Sequence, residues 1–314
     1  MKTLISDIFC LGLGYVAKHL RNRLEPSTVN VTGTRRTKST GSIFFDGKST
    51  SNDLIQALQH CQNLLISIPP HEDGKDASHL LKESLLKSNV RWIGYLSATS
   101  IYGNADGGWV DETTKPCPTT PLGKSRLQAE QAWLSLFHEH GLPVHVFRLS
   151  GIYGPGRSVF NRIQNGTAQN IANERIVFSR IHVDDIVEIL IKSMLSPHPG
   201  EIYNVSDDLP ACPQKVLEFA SSLLKRPPPD PISLEKAALS PMALQFYQDS
   251  KRVSNAKIKQ TLIKQLIHPT FKEGLKSILA KADLMEDSQT PDPLGFDGRE
   301  RAELIAVKPN DLKR

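Results

Sequence analysis

The residues best placed to do chemistry near the start of the chain are small ones. Gly12, Gly14 and Ala17 stand in the order G-x-G-x-x-A, after an apolar run from Ile8 to Leu11 and before a stretch with helical spacing. Gly12 lets the chain reverse tightly, and Gly14 removes a Cβ so that a pyrophosphate can approach the backbone. Ala17 is small enough for the helix to lie close on its strand. The first N–H groups of that helix, around Tyr15 and Val16, then offer unpaired donors and a partial positive charge to phosphates. Such a turn also occurs with no ligand, so the next strand carries weight. Asn30 to Thr34 reads as that strand and ends where a ribose-reading residue belongs. A carboxylate there would bind the 2′-hydroxyl of NAD, but the chain has Thr34-Arg35-Arg36. Guanidinium groups match a 2′-phosphate in bidentate geometry. The reading is therefore NADP(H) ahead of NAD(H), against the alternative of two solvated surface arginines.

These residues must be positioned by a larger frame. With 314 residues the chain can bury a large core, and a net charge of +5 is too mild and dispersed to point to nucleic acid or a membrane surface. No stacking-aromatic cluster accompanies Arg35 and Arg36, which also argues against nucleic acid. Cys10, Cys61, Cys117 and Cys212 lack metal-ligand spacing, which suits a reducing compartment without a disulfide framework. There is no apolar run of bilayer length. The first residues are interrupted by Asp7 and lack a small-residue cleavage site, so the expectation is a cytoplasmic protein.

Strands are read at Ile43–Asp46, Asn63–Ile68, Trp92–Leu96 and Val144–Leu149. They alternate with helices at Asp53–His60, Ala77–Ser88 and Gly123–His140. Alternation of this kind predicts a doubly wound parallel sheet with ligands at the carboxyl ends of its strands. Cofactor contacts are expected there, at Ser67 and Pro69, at Ser97, and at Gly151 and Ile152. Beyond Gly151 the rhythm loosens: a helix follows Ile181-His182-Val183-Asp184-Asp185, a strand covers Glu201–Ser206, and two helices lie between Val253 and Leu279, separated by His268-Pro269. The organisation read is a dinucleotide-binding domain over 1–160, a smaller substrate lobe over 161–284 interleaved with the sheet, and a polar, disordered tail over 285–314.

Several blocks in a fixed order carry a resemblance. Besides the glycine turn these are Leu96–Gly103, Pro118–Arg126, Arg148–Arg157, Ile181–Asp185 and Tyr203–Ser206. Over residues 7 to about 280 the chain resembles the extended short-chain dehydrogenase/reductases, the epimerase/dehydratase-like group. The G-x-G-x-x-A turn leans toward their atypical branch. The resemblance implies a Rossmann-type sheet with a smaller C-terminal substrate lobe, a nicotinamide cofactor, and a small carbonyl, hydroxyl or sugar-nucleotide substrate. It also implies a homodimer through helices around 77–88 and 123–140.

The family's proton chemistry uses a Ser or Thr, a Tyr, and a Lys four residues after the Tyr. By motif position these fall on Ala98, Leu122 and Arg126. Leu122 carries no proton, and Arg126 can hydrogen-bond a ribose but does not exchange protons near neutrality. Lys124 lies on nearly the opposite helix face. Thr99 or Ser100 could supply the missing hydroxyl by a small local shift. Tyr102 and Tyr153 edge the cleft but suit packing, Cys117 is flanked by two prolines, and His71 follows Pro69-Pro70. Arg157, in a Gly-Pro-Gly-Arg loop, is the residue expected to clamp an anionic substrate group. His182, Asp184 and Asp185 are read as a helix start, with the acidic residues capping it, and no metal is expected. Two functions remain: an oxidoreductase with a non-standard proton route, or an inactive NADP(H)-binding sensor that regulates a partner.

Overall fold

The computed structural model describes residues 5–70, 76–173, 175–239, 244, 247 and 249–287, with side chains as far as Lys281. His71 and most of the polar tail lie outside the described residues. The first half runs β1 (Ile8–Leu11), α1 (Tyr15–Leu24), β2 (Val31–Arg35), β3 (Ile43–Phe44), α2 (Asn52–His60), β4 (Asn63–Ile66), α3 (Ser78–Leu86), β5 (Trp92–Ala98), β6 (Trp109–Val110), α4 (Pro121–His140) and β7 (Val144–Leu149). Then come β8 (Gly151–Tyr153), α5 (Val159–Gln164), β9 (Asn170–Ile171), β10 (Arg180–His182), α6 (Val183–Leu195), β11 (Ile202–Val205), α7 (Pro213–Leu223), β12 (Pro231–Ile232), β13 (Arg252–Val253), α8 (Ala256–Thr261) and α9 (Phe271–Asp287). Residue contacts gather the chain through Leu275 into one unit, and a second begins at Lys276.

Seven strands form one sheet in the order β11-β7-β5-β4-β1-β2-β3, every neighbouring pair parallel. A sheet covered on both faces must be apolar on both, and β1, β4 and β7 are buried throughout. The two-residue period divides the strands between two cores. Ile8, Cys10, Trp92 and Phe147 pack with α1 and α6, while Phe9, Leu11, Tyr95 and Val146 pack with α2, α3 and α4. The strand order changes direction between β1 and β4, which places the glycine turn at the point where the two halves diverge.

Element boundaries differ from the sequence reading where side chains decide them. The third strand shortens to Ile43–Phe44, and β5 extends past Leu96 because Ser97 and Ala98 pair with Arg148 and Leu149. Helix α4 starts at Pro121, since the Thr120 hydroxyl accepts the Gly123 N–H at 3.1 Å and a proline suits the first helical position. Leu122 therefore sits in the first turn.

Candidate functional site

At the carboxyl end of β1 the glycine turn is fixed from two sides. The buried Thr34 hydroxyl accepts the Gly12 N–H at 2.9 Å, and the Thr34 carbonyl accepts the Leu13 N–H at 2.8 Å. From just past β4, the Ser67 hydroxyl donates to the Gly12 carbonyl at 2.5 Å. Gly12 has φ +101°, and a Cβ there would meet Ile68 Cγ2 at 2.7 Å, so only glycine fits. Gly14 is different. It caps α1 in extended backbone, and a Cβ on it would meet nothing within 4 Å. No contact of the described residues requires a glycine there. Ala17 is fully buried and Val16 nearly so, which leaves Val16 its backbone to offer.

Tyr15 ties this turn to the loop that follows β8. Its hydroxyl donates to the Pro155 carbonyl at 2.9 Å, and the Arg157 guanidinium lies 5.6 Å from its ring centre. Gly154 has no room for a Cβ because the Tyr15 hydroxyl would be 2.5 Å away. Burial pushes the Tyr15 phenol well above its ordinary range, so it serves as a strut rather than a proton carrier. Arg35 is half-buried and Arg36 exposed at the end of β2, beyond Thr34, and neither guanidinium makes an ion pair among the described residues.

The ends of β5 and β7 are locked by a buried polar chain that sequence reading missed. Ser97 donates to Glu130 Oε2 at 2.7 Å, and Arg148 Nη2 lies 2.6 Å from Glu130 Oε1. Arg148 Nη1 donates to the Tyr102 hydroxyl at 2.8 Å, and Tyr102 donates to Asn204 Oδ1 at 2.8 Å. The Ser97 hydroxyl proton is thus engaged, and the Tyr102 hydroxyl is held between Arg148 and Asn204. Arg148 belongs to a conspicuous sequence block, but Glu130 lies mid-helix with no local signal. Arg126 reaches back along α4 to donate to the Leu96 carbonyl at 3.0 Å.

Beyond the strand ends lies a cavity of about 580 Å³. Thr99, Ser100, Thr120 and Leu122 line one side, and Gly151, Ile152 and Arg157 another. Leu122, at 41 % exposure, presents a methyl-tipped side chain where the family motif has a phenol. Tyr153 also lines the cavity, but its hydroxyl lies 3.4 Å from the Thr270 carbonyl and burial raises its phenol far out of range. Arg162, Arg180, Asp249 and Lys251 complete its charged lining, so four cations face one carboxylate. Cys117 is exposed and is not part of this lining.

One capping expectation changes. Helix α6 begins at Val183, yet the side chain capping it is His182, whose Nδ1 accepts the Asp184 N–H at 3.1 Å. Asp184 and Asp185 occupy the first turn, and Asp185 accepts the Ile267 N–H at 2.5 Å. Donor atoms of His182, Asp184 and His268 lie within 4.8 Å of one another, but the His182 Nδ1 lone pair is already used in the cap.

Residues 76–206 match the NAD dependent epimerase/dehydratase family. Protein YeeZ of Escherichia coli K12 is 28 % identical over 222 residues, 64 % of this chain and 77 % of its own length. A conserved protein of unknown function from Silicibacter pomeroyi is 39 % identical over 89 % of this chain and all of that one, with a TM-score of 0.79. The chain belongs to the NAD-dependent epimerase/dehydratase family. It shares its fold with MoeE5, solved with UDP-glucose and NAD, at 20 % identity, 90 % coverage of this chain, 100 % of the other, and a TM-score of 0.70. The seven-stranded parallel sheet matches a Rossmann-type fold. Among the described residues no helix is long and apolar enough to cross a membrane.

Proposed function

We propose that this chain binds NADP(H) along the carboxyl ends of β1, β2, β4 and β5 and is an oxidoreductase acting on a small anionic carbonyl or hydroxyl compound, a sugar nucleotide included. The N-terminus of α1 carries the cofactor half of this reading: it is capped by Gly14 in extended backbone, with open space where a Cβ would stand. Thr34 and Ser67 hold the turn in shape, the Tyr15 and Val16 N–H groups would meet the pyrophosphate, and Arg126 would meet the ribose. Arg35 and Arg36 would hold a 2′-phosphate. When bound, the nicotinamide would give or accept a hydride. Arg157, braced on Tyr15, would orient the anionic group of the substrate. MoeE5 holds UDP-glucose and NAD in the same fold, which supports an anionic ligand in this cavity.

The test is NADPH oxidation with a panel of 4-carboxybenzaldehyde, acetoacetate, dihydroxyacetone phosphate and UDP-4-keto sugars, alongside direct titration with NADPH. Binding and turnover of at least one class are expected. Tight NADPH binding without turnover would favour the sensor reading, which rests on Ala98, Leu122 and Arg126. Failure to bind either nicotinamide dinucleotide overturns both.

A further inference from the structure

Lys251 and Asp249 form a buried ion pair in the cavity wall that no family motif covers. Their side chains are each 10 % exposed, with Lys251 Nζ 3.7 Å from Asp249 Oδ2. The other oxygen, Asp249 Oδ1, accepts the Thr119 hydroxyl at 2.8 Å. Thr119 lies in the loop that leads through Thr120 into Leu122, so one carboxylate joins the lysine to the loop bearing the missing phenol.

The backbone around the pair is pinned from both sides. Ser250 N–H donates to Asn104 Oδ1 at 2.9 Å, and the Ser250 carbonyl accepts the Ala105 and Gly107 N–H groups at 3.0 Å each. Lys251 N–H donates to the Val177 carbonyl at 3.2 Å, Val253 N–H to the Ser179 hydroxyl at 2.9 Å, and β13 pairs with β6. A lysine held so firmly loses side-chain entropy and hydration, costs that a solvated surface lysine does not carry. The burial has a chemical use where a proton must be moved.

Few other groups could move it. Among the described cavity-lining residues, Thr99 and Ser100 do not titrate near neutrality, and arginines do not release protons. Tyr153 is engaged and raised, and Tyr247 is raised by burial. Lys251 shifts the other way: burial lowers its ammonium while Asp249 opposes, and the net direction is down. Arg157, Arg162 and Arg180 line the same cavity.

We propose that Lys251 is the acid–base residue of this cavity, positioned by Asp249, in place of the phenol absent at Leu122. The assignment rests on the oxidoreductase reading. As a carbonyl is reduced, an Nζ–H bond breaks and an O–H bond forms at the substrate oxygen. The electron pair stays on nitrogen, and water returns the proton to the amine. In oxidation the neutral amine takes the hydroxyl proton. The carbon receives or loses its hydride through the nicotinamide.

Two measurements test this. The first needs no turnover: labelling of the whole protein with pyridoxal 5′-phosphate, followed by borohydride and peptide mass spectrometry across pH 6–10. Lys251 should label faster, and at lower pH, than the exposed Lys87 and Lys124. Labelling no faster than those two overturns the proposal. The second compares wild type, Lys251→Met and Lys251→Ala on the best probe of the carbonyl panel. Both variants should keep their NADPH affinity and lose kcat by at least 100-fold, and ethylamine should restore Lys251→Ala at least tenfold. A kcat within threefold of wild type overturns the assignment. If wild type oxidises no NADPH, the proposed function falls, and the labelling alone decides for or against the lysine.

Discussion

Replacing Glu130 with leucine removes the centre of the chain that locks β5 to β7. Arg148 is 3 % exposed and, among the described residues, makes its ion pair with Glu130 alone, at 2.6 Å, while Ser97 donates its side-chain hydrogen bond to the same carboxylate. Glu130→Leu would leave a buried guanidinium uncompensated, which costs about 3–5 kcal/mol. That is a large part of a typical stability of about 5–15 kcal/mol. Glu130→Leu/Arg148→Met removes both charges and leaves only the hydroxyls of Ser97 and Tyr102 to re-pair, at about 1–3 kcal/mol. The double variant should therefore be more stable than Glu130→Leu by about 2 kcal/mol. Urea unfolding followed by fluorescence of the buried Trp92 and Trp133 reads all of this, provided the slopes agree. A loss below about 1 kcal/mol for Glu130→Leu, or strictly additive single variants, would refute the reasoning.

Three further outcomes follow from the site and its supports. Gly14→Val should cost at most about 1 kcal/mol of stability, as a poorer N-cap, yet weaken NADPH at least about 100-fold (about 2.7 kcal/mol); thermal melts and titration separate the two effects. His145 is fully buried beneath Trp92 and its imidazole is pushed down to about 4 by burial. The unfolded chain binds that proton more readily, so stability is present above about pH 6.5 and lost as pH falls toward 4, by about 3 kcal/mol. His145→Gln should flatten this part of the melting profile, and an unchanged slope would show that other groups carry it. Tyr15→Phe loses the bond to the Pro155 carbonyl and should lower stability by about 1 kcal/mol, measured by denaturant midpoint.

The sheet was legible because parallel strands buried on both faces are apolar runs separated by helical spacing, as in Ile8–Leu11 and Val144–Leu149. The glycine turn was legible for a steric reason, since few sequences place two glycines between a buried strand and a helix. Short-range signals ended there. Glu130 reads as an ordinary helix residue until β7 brings Arg148 beneath it, 18 residues away in the chain. Asp249 and Lys251 lie in a stretch without periodicity, and their position comes from hydrogen bonds to residues more than 70 positions distant. His182 became a helix cap through the conformation of its own backbone, where the sequence pointed to the aspartates beside it.

The most direct test of the account is calorimetric titration with NADPH and with NADH, on wild type and on Arg35→Asp/Arg36→Ala. Dinucleotide binding at the N-terminus of α1 with arginines on the 2′-phosphate predicts that NADPH binds at least about tenfold tighter than NADH (about 1.4 kcal/mol) and that the double substitution erases the difference. Binding of neither nucleotide to the folded wild type would contradict it.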